Sequence, residues 1–398
     1  MQNLKDNSQS SFDQPPRTIL VEAVSNVGGG GTTFTASLIN AMAKARPQYH
    51  FQIAVSCDEF IERIEPLENI SIHKMRGPNT SFWRLFWRQM ILPWQRIARR
   101  SDVIVAQFPG LLFSNKPQIM LASNSHYLMN PPIAGSFVQS LKHRLQHYLF
   151  RLGYYRVNKV VFLSKQMLSL AVKWTGENPE KNVVIYEGVA PEVFAEARQT
   201  AQSMKNTDTP YFIAVGNVMH HKNYETMLNA FAELVKVYKK PIRLKIAGAY
   251  KELSDYKNGV GEMPPLVAFA EQLGVAGQVD WLGSVKFGPE LFSLLHNSVA
   301  FVSASVLEAF PLTAIEAMAA GTVVIVPSTS SYPEVVAEAG LYHDPTNASS
   351  LCNQMYYLLE NPAVRQEYLE LSGELVKFYT WQEAADRCLD LIDTIARK

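Results

Sequence analysis

The first predicted strand of the chain is Thr18-Ile-Leu-Val-Glu-Ala-Val24, and it is followed by four consecutive glycines, Gly28-Gly-Gly-Gly31. A stretch of apolar residues at helical spacing then runs from Thr33 to about Ala45. A β-branched strand, a glycine turn and a helix in this order form the unit from which parallel α/β sheets are built. The opening stretch therefore predicts an α/β fold.

The same alternation of short strands and longer helices continues along the chain. Further strands of the first half are predicted at His50–Val55, Ile70–Met75, Asp102–Gln107, Gln118–Ala122, Lys159–Leu163 and Asn182–Val189, with helices over Ser81–Arg100 and Gly135–Val157. A second series is predicted at Tyr211–Gly216, Ile242–Ala247, Gln278–Trp281, Val299–Ser303 and Thr322–Val326. Each half is long enough to bury a core of its own.

These two series define the predicted domains. We expect a disordered polar tail over 1–16, an N-terminal Rossmann-like domain over 17–189 and a linker over 190–209. A second Rossmann-like domain follows over 210–379, and a C-terminal helix over 380–398 is expected to pack back on the first domain. Domains of this kind bind ligands at the carboxyl ends of their strands, so we expect the two sheets to face each other across a cleft.

Composition excludes several classes of protein. Lys and Arg number 37 against 36 Asp and Glu, so the chain has no global field to attract nucleic acid, and only a local basic patch is left open. Three scattered cysteines (Cys57, Cys352 and Cys388) argue against a disulfide framework or a zinc site. Neither a membrane-spanning run nor a signal peptide is evident. We expect a cytoplasmic protein, with peripheral contact at the inner membrane surface as an option.

Familiar nucleotide and metal motifs fail on their spacing. A G-x-G-x-x-G fingerprint starting at Gly28 requires glycine where Thr33 stands, and no lysine follows Gly31 as a P-loop requires. There is no D-x-D or H-E-x-x-H motif, and His143 with His147 has no nearby acid to complete a site, so no metal is expected. The glycine loop is left either as a plain tight turn or as a place where backbone amides approach an anionic ligand.

The most informative stretch is Ser303-Ala-Ser-Val-Leu-Glu-Ala-Phe-Pro-Leu-Thr-Ala-Ile-Glu-Ala-Met-Ala-Ala-Gly321. Pro311 is suited to the first position of a helix, which places Glu308 in the preceding loop and Glu316 in the second turn. Free amides around Leu312 and Thr313 would form an anion site. The alternative is that Glu308 caps the helix and Glu316 is a solvated helix residue.

This stretch resembles the E-x7-E motif of retaining glycosyltransferase family four, which has the two-domain GT-B fold. Glu308-Ala-Phe-Pro311 and Glu316-Ala-Met-Ala-Ala-Gly321 are similar to its E-G-F-P…E-A-M-A-x-G variant. Three further segments agree in order: Val215–Asn223 with the phosphate-lysine loop, Val279–Gly283 with the strand before the base-binding loop, and Pro333–Pro345 with the downstream signature.

The resemblance implies a role for each matched residue. Lys222 contacts the donor's diphosphate, Glu308 the transferred sugar and Glu316 the ribose. The remaining donor-binding positions are Gly30, Gly31, Gly216, Asn217, Leu282, Phe310, Pro311, Leu312 and Thr313, and His126 is a softer match to a histidine near the sugar. Asn217 stands where the family often has Arg, and Ala309 replaces the usual glycine. Lys222 and the helix terminus must therefore carry more of the charge stabilisation.

The implied reaction moves a sugar from a nucleotide-diphosphate sugar to a glycan, a lipid-linked or a small-molecule acceptor, with retention of configuration. A nucleoside diphosphate is a good leaving group, so the site needs preorganised positive charge on the phosphate rather than a general acid. No metal and no cofactor besides the co-substrate is expected. A noncatalytic sugar-nucleotide-binding scaffold and a nucleotide-sugar epimerase of the same fold remain the alternatives.

The segment Phe82–Arg100 mixes three tryptophans with five arginines. One hypothesis is an interfacial helix that contacts a membrane, and the other is a core helix with a basic exposed edge. Because Pro93 interrupts the segment and strong anchoring requires more than one signal, we favour the core helix. At least two of Trp83, Trp87 and Trp94 are then expected to lie inside.

Overall fold

A computed structural model describes residues 15–25, 30–77, 80–124, 128, 137–190, 195, 209–251 and 264–397. Nearly all of the predicted tail 1–16 and most of the predicted linker 190–209 lie outside the described residues. The chain forms two compact units. The first unit comprises Met1–Glu187 and Trp381–Lys398, and the second unit comprises Gly188–Thr380.

The first unit is built on a seven-stranded parallel sheet in the order β3-β2-β1-β4-β5-β6-β7. Its strands are β1 Thr18–Ala23, β2 His50–Val55, β3 Ile70–Lys74, β4 Val103–Gln107, β5 Gln118–Ala122, β6 Lys159–Phe162 and β7 Asn182–Val184. The central strands are wholly buried because helices cover the sheet, which explains their continuous apolar runs. The strand predicted at 182–189 is shorter than expected.

Helices of the first unit are α1 Gly30–Ala45, α2 Asp58–Ile61, α3 Ser81–Phe86, α4 Arg96–Arg100, α5 Phe137–Arg156 and α6 Lys165–Thr175. The last helix of the chain (α14, Trp381–Ala396) also belongs to this unit and packs against α1. Trp381 contacts Phe34, and the Asp393 carboxylate accepts a hydrogen bond from the buried Tyr49 hydroxyl. Phe34 and Tyr49 thus share one core with the last helix of the chain.

The second unit holds a six-stranded parallel sheet in the order β10-β9-β8-β11-β12-β13. Its strands are β8 Tyr211–Val215, β9 Arg243–Ala247, β10 Val279–Gly283, β11 Ala300–Val302, β12 Val324–Pro327 and β13 Gly340–His343, of which β13 was not predicted. Its helices are α7 Tyr224–Tyr238, α8 Pro265–Gln272, α9 Pro289–His296, α10 Leu312–Ala319, α11 Tyr332–Val336, α12 Ala348–Glu360 and α13 Pro362–Leu375. Two Rossmann-like parallel-sheet domains are therefore present, as predicted.

The boundary between the two units falls after Glu187, two residues before the predicted boundary after residue 189. Val189 forms an isolated parallel bridge with Thr380, and its amide donates to the Tyr379 carbonyl at 2.9 Å. Tyr379 and Thr380 are the last residues of the second unit. Val189 is therefore bonded to that unit, which begins at Gly188.

The Phe82–Arg100 segment is not one continuous helix. After α3 the backbone forms a π-helical turn at Trp87–Ile91 and a 3-10 turn at Leu92–Trp94 before α4 begins. Trp87 is buried, and the half-buried Trp83 packs on the same core while its indole N–H donates to the Arg76 carbonyl at 2.9 Å. Trp94 is 68% exposed, so two of the three tryptophans pack on the core, which agrees with the prediction of at least two.

None of the helices within the described residues has both the length and the apolar character needed to span a membrane.

Candidate active site

A cavity of about 140 Å³ lies at the carboxyl ends of β8, β9 and β10 in the second unit. It is lined by the predicted Gly216 and Asn217 and also by Gly248, Ser284 and Leu291, among others. The strand ends approach closely, since a Cβ added to Gly248 would lie 1.9 Å from the Gly216 carbonyl oxygen. Leu282, one of the predicted donor-binding positions, is 38% exposed and is not among the lining residues. Sequence reasoning missed Gly248, although a glycine directly after a strand was the available signal.

Asn217 has a structural role in the rim of this cavity. Its side-chain oxygen accepts a hydrogen bond from the Ala249 amide at 3.1 Å, and the Val218 amide donates to the Ala249 carbonyl at 2.9 Å. These bonds join the loops after β8 and β9. A neutral side chain here stabilises the loop pair without adding positive charge.

Lys222 and Glu308 form an ion pair, with Lys222 Nζ 2.6 Å from a Glu308 carboxylate oxygen. The two side chains are 20% and 15% exposed and come from loops that are far apart in sequence. The predicted diphosphate residue and the predicted sugar residue are thus adjacent. Such a pair presents a positive and a negative charge to a ligand within a few ångströms of each other.

The loop that carries Lys222 is fixed by its backbone. A 3-10 turn covers His220–Lys222, and Asn223 follows in the left-handed conformation, with φ of 53°. The Asn223 side-chain amide donates to the Pro345 carbonyl at 2.8 Å, and the Val306 amide donates to the His221 carbonyl at 2.8 Å. Asn tolerates this conformation better than most residues.

Glu308 is held by a pair of serines that sequence reasoning missed. The Glu308 amide donates to Ser330 Oγ at 2.8 Å, and the hydroxyls of Ser330 and Ser331 each donate to the Glu308 carbonyl at 3.0 Å. The run Ser328-Thr-Ser-Ser331 after β12 was the available signal, because hydroxyl-rich turns bond nearby backbone.

The helix after Glu308 begins one residue later than expected. Pro311 has φ of −84° and ψ of 60°, outside helical values, so Leu312 is the first residue of α10. The Leu312 amide already donates to the Phe310 carbonyl at 3.0 Å, so the prediction that this amide is free is wrong. Thr313, the second residue of α10, provides the next backbone amide, one of those that have no acceptor within the helix. Phe310 itself is buried against the Tyr379 ring.

Glu316 is buried in the second turn of α10, with 8% of its surface exposed. Burial raises the pKa of this carboxyl to about 8, because the charged form loses its hydration. The side chain is therefore mostly a neutral acid at pH 7, which can both donate and accept a hydrogen bond. The alternative of a solvated helix residue is wrong.

Two buried tyrosines complete the surroundings of the ion pair. The Tyr224 hydroxyl donates to the Gly216 carbonyl at 2.7 Å, and the Tyr332 hydroxyl lies 2.6 Å from Ser303 Oγ. Burial and the nearby Glu308 charge raise the pKa of both hydroxyls. They remain protonated at ordinary pH and act as fixed dipoles beside Glu308.

In the first unit, Gly30 and Gly31 form the first residues of α1, while Gly28, Gly29 and His126 lie outside the described residues. A buried network connects this region to the strand ends. Thr35 Oγ1 donates to the Gly31 carbonyl at 2.9 Å, and the Gln107 side-chain amide donates to Thr35 Oγ1 at 2.9 Å.

The same strand ends hold a fully buried ion pair. A carboxylate oxygen of Glu22 lies 2.6 Å from an Arg88 nitrogen, with 0% and 3% of the side chains exposed. Arg88 also donates to the Gln107 and Phe108 carbonyls, at 2.9 and 3.1 Å. The arginines of 82–100 were expected to form a basic exposed edge, whereas the structure places Arg88 in the core.

In the parts of the chain that the structure describes, no group of three or more His, Cys, Asp or Glu side chains is arranged to hold a metal ion.

Comparison with known proteins agrees with this architecture. The family model described as "Glycosyltransferase Family 4" matches residues 28–193, and the one described as "Glycosyl transferases group 1" matches residues 196–374. An uncharacterized glycosyltransferase of Methanocaldococcus jannaschii is 25% identical over 62% of this chain and 62% of its own length. An O-antigen chain mannosyltransferase of Salmonella typhimurium is 28% identical over 54% of each chain. The matched part thus spans only about half to six tenths of these two relatives.

Solved structures share the fold over nearly the whole chain. A sucrose-phosphate synthase from Thermosynechococcus elongatus superposes with a TM-score of 0.77 at 18% identity, over 95% of this chain and 98% of the other. The Anabaena protein HepE, solved in complex with UDP-glucose, gives 0.71 at 15% identity, over 95% and 100%. At these identities the superposition establishes a common fold.

Proposed function

The chain belongs to glycosyltransferase family 4, and from this membership we propose that it transfers a sugar from a nucleotide-diphosphate sugar to an acceptor with retention of configuration. The observation that carries the proposal is the Lys222–Glu308 ion pair, because the two residues matched to the diphosphate and to the sugar lie 2.6 Å apart. Three further features support it: the start of α10, the buried Glu316 acid and the cavity at the ends of β8 and β9.

In the proposed complex, the second unit holds the donor. The cavity beside Gly216 and Gly248 takes the base, and Glu316 bonds the ribose. Lys222 and the amide of Thr313 bind the diphosphate. A neutral Glu316 avoids the repulsion that a carboxylate would exert on a nearby phosphate. The UDP-glucose complex of HepE, a protein of the same fold, supports a nucleotide-sugar donor.

Catalysis on this proposal is electrostatic. As the sugar–phosphate bond breaks, negative charge grows on the leaving oxygen, and the Lys222 ammonium stabilises it. The departing phosphate oxygen accepts the proton of the attacking hydroxyl on the same face of the sugar, so the configuration is retained. The Lys222–Glu308 pair keeps the ammonium in place before the donor arrives, which reduces the reorganisation needed at the moment of reaction.

We assign acceptor selection to the first unit, where the acceptor is a glycan, a lipid-linked or a small molecule. The network from Gly31 through Thr35 to Gln107 rigidifies the strand ends at which an acceptor is expected to bind. The proposed location is the cytoplasm, including peripheral contact with the inner membrane surface.

A donor panel tests the proposal. Purified protein is incubated with a series of nucleotide sugars, and thermal shift and nucleotide release are measured with and without candidate acceptors. We expect one donor to raise the melting temperature and to release nucleoside diphosphate when an acceptor is present. Binding without turnover would identify a scaffold instead, and interconversion of the nucleotide sugar without an acceptor would identify an epimerase.

Metal independence is tested in the same assay. On the proposed mechanism a cation is not required, because Lys222 and the α10 terminus supply the positive charge. Turnover is expected to survive EDTA. Complete loss in EDTA with recovery on adding magnesium or manganese would contradict this part of the proposal.

A further inference from the structure

The near-zero net charge of the chain conceals a strong asymmetry. Between Glu68 and Glu177 there are 15 Lys and Arg residues and a single acidic residue, Asp102. The rest of the chain carries 22 Lys and Arg against 35 Asp and Glu. This segment runs from β3 to α6 and forms much of the first unit. A concentrated positive charge of this kind indicates an anionic partner.

Within that segment, helix α5 exposes a continuous apolar stripe. Its members alternate at spacings of four and three residues, and they are 37–64% exposed: Leu141, Leu145, Tyr148, Leu152 and Tyr155. At ~100° per residue these five side chains fall within an arc of about 80°. Scattered exposed apolar residues are ordinary, but a stripe over four turns indicates a surface that meets another apolar phase.

The opposite face of α5 fixes the helix to the first unit. Phe150 and Tyr154 are buried, and Phe150 stacks with Phe108. A Cβ added to Gly153 would lie 2.1 Å from the Pro109 carbonyl oxygen, so the helix backbone is in direct contact with the loop after β4. The exposed stripe is therefore displayed outward on a helix whose inner face is already packed.

Cations flank this stripe. Arg144, Arg151 and Arg156 are exposed and lie roughly 60–80° to either side of its centre, and α5 has no Asp or Glu. Arginine side chains in these positions can extend to lipid headgroups while the stripe enters the acyl boundary. The two tyrosines add amphipathic rings of the kind that are enriched at membrane interfaces.

The charge pattern decides between candidate partners. A second copy of α5 would oppose its cations with like charges and no acidic groups, which is unfavourable. A nucleic acid would satisfy the arginines but would leave the leucines against a polar backbone. An anionic bilayer satisfies both the cations and the leucines.

A second apolar group lies on the same side of the sheet. Phe82, Leu85, Phe86, Met90 and Trp94 are 39–77% exposed. The crossovers from β3 to β4 and from β5 to β6 both step in the same direction along the sheet, so right-handed connections place α3 and α5 on one face. Strong attachment to a bilayer requires more than one such signal.

We propose that the first unit binds the surface of an anionic lipid bilayer through the α5 stripe, with the exposed residues of 82–94 as a second contact. The proposal is independent of the transfer reaction, because it concerns only the exposed face of the first unit.

The test is co-sedimentation of the full chain, without donor, with two kinds of vesicle at low and high salt. One kind is phosphatidylcholine alone, and the other is phosphatidylcholine mixed with phosphatidylglycerol. We expect binding to the anionic vesicles that weakens with salt. The variant Leu141→Ser/Leu145→Ser/Tyr148→Ser should bind at least tenfold more weakly, and Arg144→Gln/Arg151→Gln/Arg156→Gln about a hundredfold more weakly at low salt.

Matched controls come from equally exposed residues of the second unit. Val237→Ser/Tyr357→Ser/Phe378→Ser matches the apolar variant, and Lys236→Gln/Lys239→Gln/Lys286→Gln matches the charge variant. All four should keep the wild-type melting temperature and nucleotide-sugar binding, and the controls should bind vesicles normally. The proposal is overturned if anionic vesicles do not sediment the protein, or if the stripe variants bind as well as their controls. It is also overturned if the stripe variants leave vesicle binding unchanged and alter only the mass of an oligomer or the affinity for RNA.

Discussion

Lys222 provides a fixed positive charge because its partner holds it. Glu308 is fixed by Ser330 and Ser331, and the Lys222 ammonium lies 2.6 Å from its carboxylate. A lysine free in solvent would lose side-chain entropy on meeting a phosphate, whereas this one is already positioned. Asn217 is neutral, so no second cation at position 217 can substitute for the charge of Lys222.

Replacing Lys222 by alanine is expected to lower turnover by about 10²–10³-fold, the usual effect of removing one preorganised electrostatic donor. The measurement is kcat with saturating donor. Lys286→Ala, which removes an exposed lysine of the same unit, serves as the control. A loss of less than about threefold in Lys222→Ala would show that the lysine does not act on the leaving group.

Glu316→Ala is expected to weaken donor affinity more than kcat, because a ribose contact is made equally in the ground and transition states. Glu316→Gln keeps a neutral group that donates and accepts, so it should retain most of the affinity. Donor Kd and kcat are measured for both variants. If turnover collapsed while donor affinity held, the roles of Glu308 and Glu316 would have to be exchanged.

The raised pKa of Glu316 also predicts a pH dependence of stability. Between pH 4.5 and about 8 the unfolded chain has released this proton while the folded chain keeps it, so stability falls as pH rises through that window. Comparing urea unfolding of wild type and Glu316→Gln across pH isolates the effect. The stability difference should shift in favour of Gln by several kcal/mol, on the order of 3–5, between pH 5 and pH 8. A pH-independent difference would mean that the carboxyl ionises normally.

At the scale of elements, the segment Phe82–Arg100 places some of its side chains in the core and others in solvent. Its π-helical and 3-10 turns change the direction of the backbone around Pro93, so Trp87 and Arg88 face inward while Phe82 and Trp94 stay outside. Inside, the two terminal nitrogens of Arg88 are bonded by Glu22 and two backbone carbonyls, which offset the cost of burying the cation.

Alanine substitutions of the three tryptophans should therefore differ in their effects on stability. Trp87→Ala is expected to cost about 3–5 kcal/mol as a buried aromatic. Trp83→Ala should cost less, since the ring is half-buried, and Trp94→Ala should stay within about 0.5 kcal/mol. Urea unfolding of each variant measures this order. Equal effects at positions 87 and 94 would contradict the observed burial.

Periodicity predicted most elements because buried parallel strands are continuous apolar runs, and β2 and β5 begin and end where expected. It missed β13 because Gly340–His343 is a short strand without a β-branched run. The π-turn at Trp87 could not be predicted, since it depends on tertiary packing. At the site, the resemblance to family four identified Lys222 and Glu308 as candidate residues. The bonds from Ser330 and Ser331 to Glu308 and the burial of Glu316 could not be predicted, because they arise from contacts between distant segments.

At the scale of the whole molecule, the first unit is closed by the last helix of the chain. Helix α14 contributes Asp393, whose carboxylate accepts from Tyr49 and lies 3.3 Å from Arg17 Nε. Both partners come from the part of the first unit before β2, so this cluster joins α14 to segments that are far from it in sequence. Burial and, after it, the Asp393 carboxylate raise the pKa of Tyr49 to about 12, so the phenol stays a hydrogen-bond donor well above neutral pH.

Asp393→Ala is expected to destabilise the first unit by about 2–4 kcal/mol, because it leaves the buried Tyr49 hydroxyl without its acceptor and the Arg17 guanidinium without its counter-ion. Asp390→Ala, an exposed carboxylate one turn earlier in α14, is the matched control and should stay close to wild type. Tyr49→Phe/Asp393→Ala should recover part of the loss, since the orphaned hydroxyl is then gone. Urea unfolding with limited proteolysis locates the effect: cleavage should appear first between residues 15 and 187, while donor binding, assigned to the second unit, persists below the transition. Should Asp393→Ala abolish donor binding in a protein that still melts normally, α14 would act on the donor site rather than on the core of the first unit.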